Sequence, residues 1–252
     1  MRGLRKYLTP FAPDQSGAVS VLYELGGIIV ICDAGGCTGN VCGFDEPRWF
    51  ERKSAVFSAG LRDMDAILGR DDRLVAKLVD AAEKIDAGFA AIVGTPVPAV
   101  IGTDYRALRR MCEKKTDLPI LAIDTDGMEL YDKGEEKAYL ELFTVFAKEK
   151  YEVCEEKVGI LGMTPQDVSD LKAADKVREE LKKEGKEAIC YGMGDGLEAV
   201  ERASEVGKNI VVSAAALEVA KYLEKTFGTP YEIGYPAAGE LVPNLDYQGK
   251  KI

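Results

Sequence analysis

Short apolar runs rich in Ile and Val recur along this 252-residue chain, each bounded by Gly, Asp or Pro and each followed by a segment of helical periodicity. The pattern predicts strands at Gly27–Cys32, Ala55–Ser58, Ala90–Gly94, Pro119–Asp124, Val158–Gly162, Glu187–Tyr191 and Asn209–Ser213. None alternates apolar with polar residues, so these strands are buried on both faces, as parallel strands covered by helices are. A helix is expected over Asp72–Asp86, where Leu74, Val75, Leu78, Val79, Ala82 and Ile85 share one stripe. Tyr105, Leu108, Met111 and Cys112 mark another, and further helices are expected at Glu135–Glu149, Asp170–Glu184, Leu197–Val206 and Ala214–Phe227. Strands alternating with helices require crossover connections, so the fold class is α/β, with doubly wound parallel sheets. There are too many units for one sheet. The charged stretch Lys148–Lys157 precedes a fresh strand and divides the chain into an N-terminal Rossmann-like domain over 1–150 and a second over 151–240. Residues 241–252 lack periodicity and read as a C-terminal arm. No short-period repeat is visible. Ala87–Thr103 is uncharged over nearly a membrane-spanning length, but Gly94, Pro96, Pro98 and Gly102 fit a buried strand and loop better.

A formal charge of −10, from 33 basic and 43 acidic side chains, disfavours nucleic acid and anionic lipid as partners. The chain has no histidine, which removes most hydrolytic triads, most mononuclear zinc or iron sites and most haem ligation. Chemistry must then use cysteine, carboxylate, lysine, tyrosine or a bound cofactor. Six cysteines are too few for a disulfide framework, and Met1 to Gly17 lacks the apolar core of a secretory signal, so a reducing cytoplasm is expected.

The richest segment is Ile28–Phe50, where a strand ends at Cys32, the chain turns through Gly35, Gly36 and Gly39, and thiols recur at Cys37 and Cys42. Glycines allow close backbone approach, and exposed amides stabilise an anionic group such as a thiolate-bound iron–sulfur cluster. One loop offers at most three ligands, with Cys32 directed into the sheet, whereas two copies of Cys37 and Cys42 across a two-fold axis make a set of four. The alternative is a core Cys32 and an ordinary strand-to-helix turn. Cys112, Cys154 and Cys190 read as packing or incidental residues. Beyond later strand ends, Thr164, Asp195 and Ser213 can edge a ligand pocket, since ligands of open α/β sheets bind past the carboxyl ends of strands. Gly192–Gly196 lacks the full nucleotide fingerprint and reads as a turn. Asp124 and Asp126 can donate protons or cap the next element. Trp49, between Arg48 and Phe50, suits a core or interface seal.

The order of these segments resembles the nitrogenase component 1 proteins and the nitrogenase-like reductases of tetrapyrroles. Cys32-Asp33-Ala34-Gly35-Gly36-Cys37 is similar to that family's first cysteine loop, with Cys37 at a cluster-ligand position. Phe57–Gly69 and the helix after it, Ile92–Asp104, and Leu118 through Gly127 follow the family's order. So do Gly194-Asp195-Gly196, Asn209–Val212 and Tyr222 to Pro230 in the second unit. The departures are specific. Pro96 stands where the family commonly has a third cluster cysteine, Ser213 stands where nitrogenase has the cysteine holding its molybdenum–iron cofactor, and a third Rossmann-like domain is not in this sequence. The resemblance therefore implies no eight-iron cluster and no dinitrogen reduction. It implies a homodimer with a [4Fe–4S] cluster bridging two subunits on Cys37 and Cys42, supplied by an ATP-dependent iron–sulfur reductase. Electrons would pass to a small molecule or tetrapyrrole-like substrate, with Asp124 or Asp126 as proton source. The rival reading is a non-catalytic scaffold that binds or assembles a metal cofactor.

Overall fold

The computed structural model describes residues 9–52, 54–237 and 240–242. Strands β1 (Ile28–Ile31), β2 (Ala55–Ser58), β3 (Ala90–Val93) and β4 (Ile120–Ile123) form one four-stranded sheet in the order β2-β1-β3-β4. Strands β5 (Cys154–Leu161), β6 (Glu187–Cys190), β7 (Val206–Val211) and β8 (Tyr231–Ile233) form the second, in the order β6-β5-β7-β8. Every pairing within the two sheets is parallel. The fold is thus α/β with two doubly wound parallel sheets. Interior strands β1 and β3 are buried throughout, whereas edge strand β2 is mostly half-buried, which is why the interior runs carry the purest Ile/Val pattern.

The helices are α1 (Asp14–Leu22), α2 (Gly36–Asn40), α3 (Asp63–Leu68), α4 (Asp71–Ala82), α5 (Pro96–Ile101) and α6 (Tyr105–Glu113), followed by α7 (Tyr131–Phe146), α8 (Pro165–Val168), α9 (Ala173–Lys183), α10 (Leu197–Glu201) and α11 (Leu217–Phe227). Leu74, Val75 and Leu78 of α4, with Leu108 and Cys112 of α6, cover one face of the first sheet. Val177 and Leu181 of α9 cover one face of the second. The remaining faces share a single core: Ile29, Ile31, Val93 and Leu121 belong to the same cluster as Leu161 and Val211, with α1, α7 and α11 packed in it.

Several elements differ from the sequence expectation, among them α5, a short helix with Pro96 in its first turn where the sequence predicts a loop after β3, and also α1, β8 and the β9–β10 pair. All nine residues of α1 are buried, so it has no polar face and its periodicity is invisible in the sequence. Strand β8 is a three-residue edge strand, too short to announce itself. Of the arm expected over 241–252, Leu241 and Val242 belong to β10 (Glu240–Val242), paired antiparallel with β9 (Tyr235–Ala237), and 243–252 lie outside the described residues.

The close approach of α1 to α7 depends on glycine. A Cβ on Gly134 would overlap the Asp14 carbonyl oxygen, and one on Gly17 would overlap that of Tyr131. The two backbones are in direct contact there. No helix among the described residues is long and apolar enough to cross a membrane.

Candidate functional site

Beyond β1 the chain passes buried Cys32 and Asp33 and reverses at Gly35, whose φ of 112° is open to glycine and strained for other residues. α2 then runs into a π-helical turn over Val41–Asp45. The Asp33 carboxylate, 1% exposed, fixes the turn by accepting the Thr38 amide at 2.7 Å and the Ser58 hydroxyl at 2.6 Å. Gly36, Gly39 and Gly43 face open space, so the loop presents bare backbone.

The three thiols part company. Cys32 packs under α4 with Val30, Leu74 and Val75, while half-buried Cys37 packs against the core on the opposite side of the sheet. Cys42 is 9% exposed, within the π turn. All six cysteines are free thiols. Burial, then the Asp33 carboxylate, pushes the Cys37 thiol up, partly offset by Thr95. Burial, then Glu46 and Asp33, does the same to Cys42, and burial raises Cys32 much further. Among the described residues no three Cys, Asp or Glu side chains gather as a metal site. Cys32 thus lies on the other side of the sheet from Cys37, while Cys37 and Cys42 are free thiols five residues apart along the loop.

The loop is bolted to both sheets. Asp45 accepts from Ser16 of α1 at 2.7 Å and from Asn40 at 2.8 Å, and its backbone oxygen accepts from Gln166, beyond β5, at 2.9 Å. Arg48, 2% exposed, pairs with Glu46 at 2.7 Å and donates to the Ser20 carbonyl at 2.7 Å and the Gly192 carbonyl, beyond β6, at 2.8 Å. A buried guanidinium satisfied on this many sides is costly to disturb, because any lost partner leaves charge unpaired in the core. Trp49 is partly buried against the shared core, and Phe50 is exposed.

At the ends of β5 and β7, Thr164 and Ser213 converge on Asp167. Thr164 Oγ1 accepts the Tyr131 hydroxyl at 3.2 Å, and Ser213 Oγ accepts the Ala215 amide at 3.4 Å. Above them sits Glu135 of α7, fully buried, with no hydrogen bond of ordinary geometry to either carboxyl oxygen. Burial, then the neighbouring Asp167, holds Glu135 protonated far above the usual carboxylate range, and burial lifts Asp167 to about 6. Two facing carboxyls in a low-dielectric site retain a proton between them. Asp195 stands apart from this cluster. It accepts from Arg178 at 2.7 Å and the Cys190 amide at 2.6 Å, and lines a separate hollow with Lys157 and Arg202.

Of the two carboxylates expected to move protons, Asp124 is exposed beside Lys137 at 3.3 Å, and Asp126 Oδ1 accepts the Met128 and Glu129 amides as a turn cap. The Asp126 turn is held in place by Asp14, buried on α1, which accepts the Asp126 and Gly127 amides at 2.9 and 2.7 Å. Sequence reasoning missed Glu135, Asp167, Asp14 and the anchoring role of Arg48. For Glu135 the signal existed: it precedes Ala138, Tyr139 and Leu142 by three, four and seven residues, on the buried stripe of α7.

The sequence profile of the nitrogenase component 1 type oxidoreductases matches residues 15–237. The nitrogenase iron-molybdenum cofactor biosynthesis protein NifE of Bradyrhizobium diazoefficiens is 23% identical over 182 residues, covering 70% of this chain and 32% of that protein. The protein of the same name from Clostridium pasteurianum is 25% identical over 180 residues, covering 69% of this chain and 38% of that protein. The chain thus spans about a third of the length of these curated relatives. Solved nitrogenase Cp1 structures at pH 6.5 and pH 5 superpose with TM-scores of 0.74 and 0.73 at 18% identity, covering 92% of this chain and 47% and 49% of theirs. With its profile matched over nearly the whole described chain, this protein belongs to the nitrogenase component 1 type oxidoreductase family.

Proposed function

We propose that the chain is a metal-cluster component of a nitrogenase-like system, working as a homodimer in which Cys37 and Cys42 of each copy hold one [4Fe–4S] cluster. In this reading the protein accepts low-potential electrons from an ATP-dependent iron–sulfur reductase and serves the reduction of a small molecule or tetrapyrrole-like cofactor. The supporting observation is the setting of the two thiols, on a glycine turn with open space at Gly36, Gly39 and Gly43. Two thiols per chain would make half the donor set of a cluster, and a two-fold axis would double it. Phe44 and Phe50, exposed and close to the two thiols in sequence, are apolar side chains that a second copy would cover. A cluster bound there would supply one-electron transfer at low potential. The chain's own part is to hold the loop rigid through Asp33, Asp45 and Arg48. Proton supply falls to Glu135 and Asp167 rather than Asp126, which is occupied as a cap, with exposed Asp124 left as a donor at the rim.

The direct test is anaerobic reconstitution followed by iron and sulfide counting and mass measurement in solution. The expected result is about four iron per pair of chains, lost in Cys37→Ala and Cys42→Ala and retained in Cys32→Ala. Iron-free protein after reconstitution, or iron kept by Cys37→Ala, overturns the assignment. A second reading, a carrier that binds or assembles a metal cofactor without turnover, is favoured by the cofactor biosynthesis names of the curated relatives. A carrier hands its metal to an acceptor protein without reversible reduction, so redox cycling of the loaded protein separates the two.

A further inference from the structure

On a chain with ten excess negative charges, one hollow stands out for its cations. It lies past the carboxyl end of edge strand β2, holds about 360 Å³, and is lined by Arg62, Arg70, Arg73 and Lys77, with Asp65 as its sole acidic lining residue. Three of the four cations have a defined setting. Asp65, 8% exposed, accepts from Arg73 at 2.7 Å and from the Arg62 amide at 3.2 Å, so it fixes the wall and is itself fully engaged. The Lys77 ammonium donates to the Ala59 carbonyl, which leaves two of its three N–H donors. Arg70 pairs with Asp72 at 3.1 Å, but both side chains are more than 40% exposed, and such a surface pair is weak enough for a ligand to displace. Gly60, with φ 59°, forms the near wall, and a Cβ there would meet the Lys77 nitrogen at 3.4 Å.

We propose that this hollow binds a small phosphate-bearing molecule. Arg73 is paired with Asp65 and Arg70 with Asp72, so Arg62 and Lys77 are left as excess positive charge that a dianion neutralises. Planar guanidinium forks match phosphate oxygens in pairs, and the volume suits a phosphoryl group with a small organic body. The position obeys the rule that ligands of open α/β sheets bind beyond strand carboxyl ends. The hollow also adjoins the cysteine turn, since the Leu61 amide donates to the Asp33 carbonyl at 2.8 Å and the Gly60 amide to the Ser58 hydroxyl that holds Asp33. The site does not depend on Cys37 or Cys42 and stands whether or not the cluster assignment does.

Titration calorimetry of the full chain with pyrophosphate and with inorganic phosphate, at fixed ionic strength, tests it. Saturable binding of one equivalent is expected, weakened about tenfold or more in the exposed double variant Arg62→Gln/Arg70→Gln and unchanged in Lys208→Gln on the far sheet. Circular dichroism of the double variant confirms that the fold is kept. Absence of saturable binding, equal binding by the double variant, or response to polyglutamate but not to pyrophosphate overturns the proposal, the last marking the hollow as a contact for an acidic protein.

Discussion

Glu135 shows how much one buried side chain can set the pH response of a protein. Its folded-state pKa and that of Asp167 are raised by burial, so the folded form holds protons that the unfolded chain releases. The Asp167 share of this stability is fully present below about pH 4 and is lost as pH rises through about 6, and the Glu135 share goes on being lost at higher pH. Replacing Glu135 with Gln removes the cost of keeping a carboxyl there. Denaturant unfolding should show Glu135→Gln gaining stability over the parent as pH is raised, by about 1–3 kcal/mol at pH 7 relative to pH 4. A difference that stays flat with pH would remove the pair from the titration. The stripe position of Glu135 on α7 was readable in the sequence, but its partner was not, because Asp167 reaches it only through the packing of α7 over the ends of β5 and β7.

At the scale of elements, the strands of the interior and the stripes of α4 and α9 were legible, because burial on both faces or on one face leaves a period in the residues. α1 was not. A helix buried all round has no period to display, and its amino end is marked only by Pro13 and Asp14. Its seat on α7 is nevertheless among the most constrained contacts in the molecule, since the backbone of each helix fills the space a Cβ on Gly17 or Gly134 would need. Gly134→Ala should raise helix propensity and yet destabilise, by roughly 1–3 kcal/mol or more, because overpacking against backbone cannot be relieved by a rotamer change. A midpoint of denaturation equal to or above the parent's would contradict that packing. The cysteine turn was legible as a turn, through Gly35, Gly36 and Gly39, while its anchorage was not: Ser16, Ser20, Gln166 and Gly192 lie far from it in sequence.

For the whole molecule, the two sheets follow one another along the chain, the first ending at Ile123 and the second beginning at Cys154, but one apolar core spans both. Residues of the first sheet, such as Ile29 and Leu121, share one cluster with Leu161, Val211 and Leu223. The full chain should melt in a single calorimetric transition, and fragments cut at residue 150 should each expose that face and fail to unfold cooperatively. Two resolved transitions, or an independently folded 1–150 fragment, would contradict a shared core. The two sheets also repeat one strand order, β2-β1-β3-β4 and β6-β5-β7-β8, a likeness hidden from the sequence because topology is kept by burial and crossover rules rather than by residue identity. Drift over long times can rewrite nearly every apolar position of such a chain with another apolar residue. Where α1 lies on α7, only hydrogen fits between two main chains, so Gly17 and Gly134 cannot wander, and a distant relative whose other positions have changed beyond recognition should still carry that pair of bare carbons.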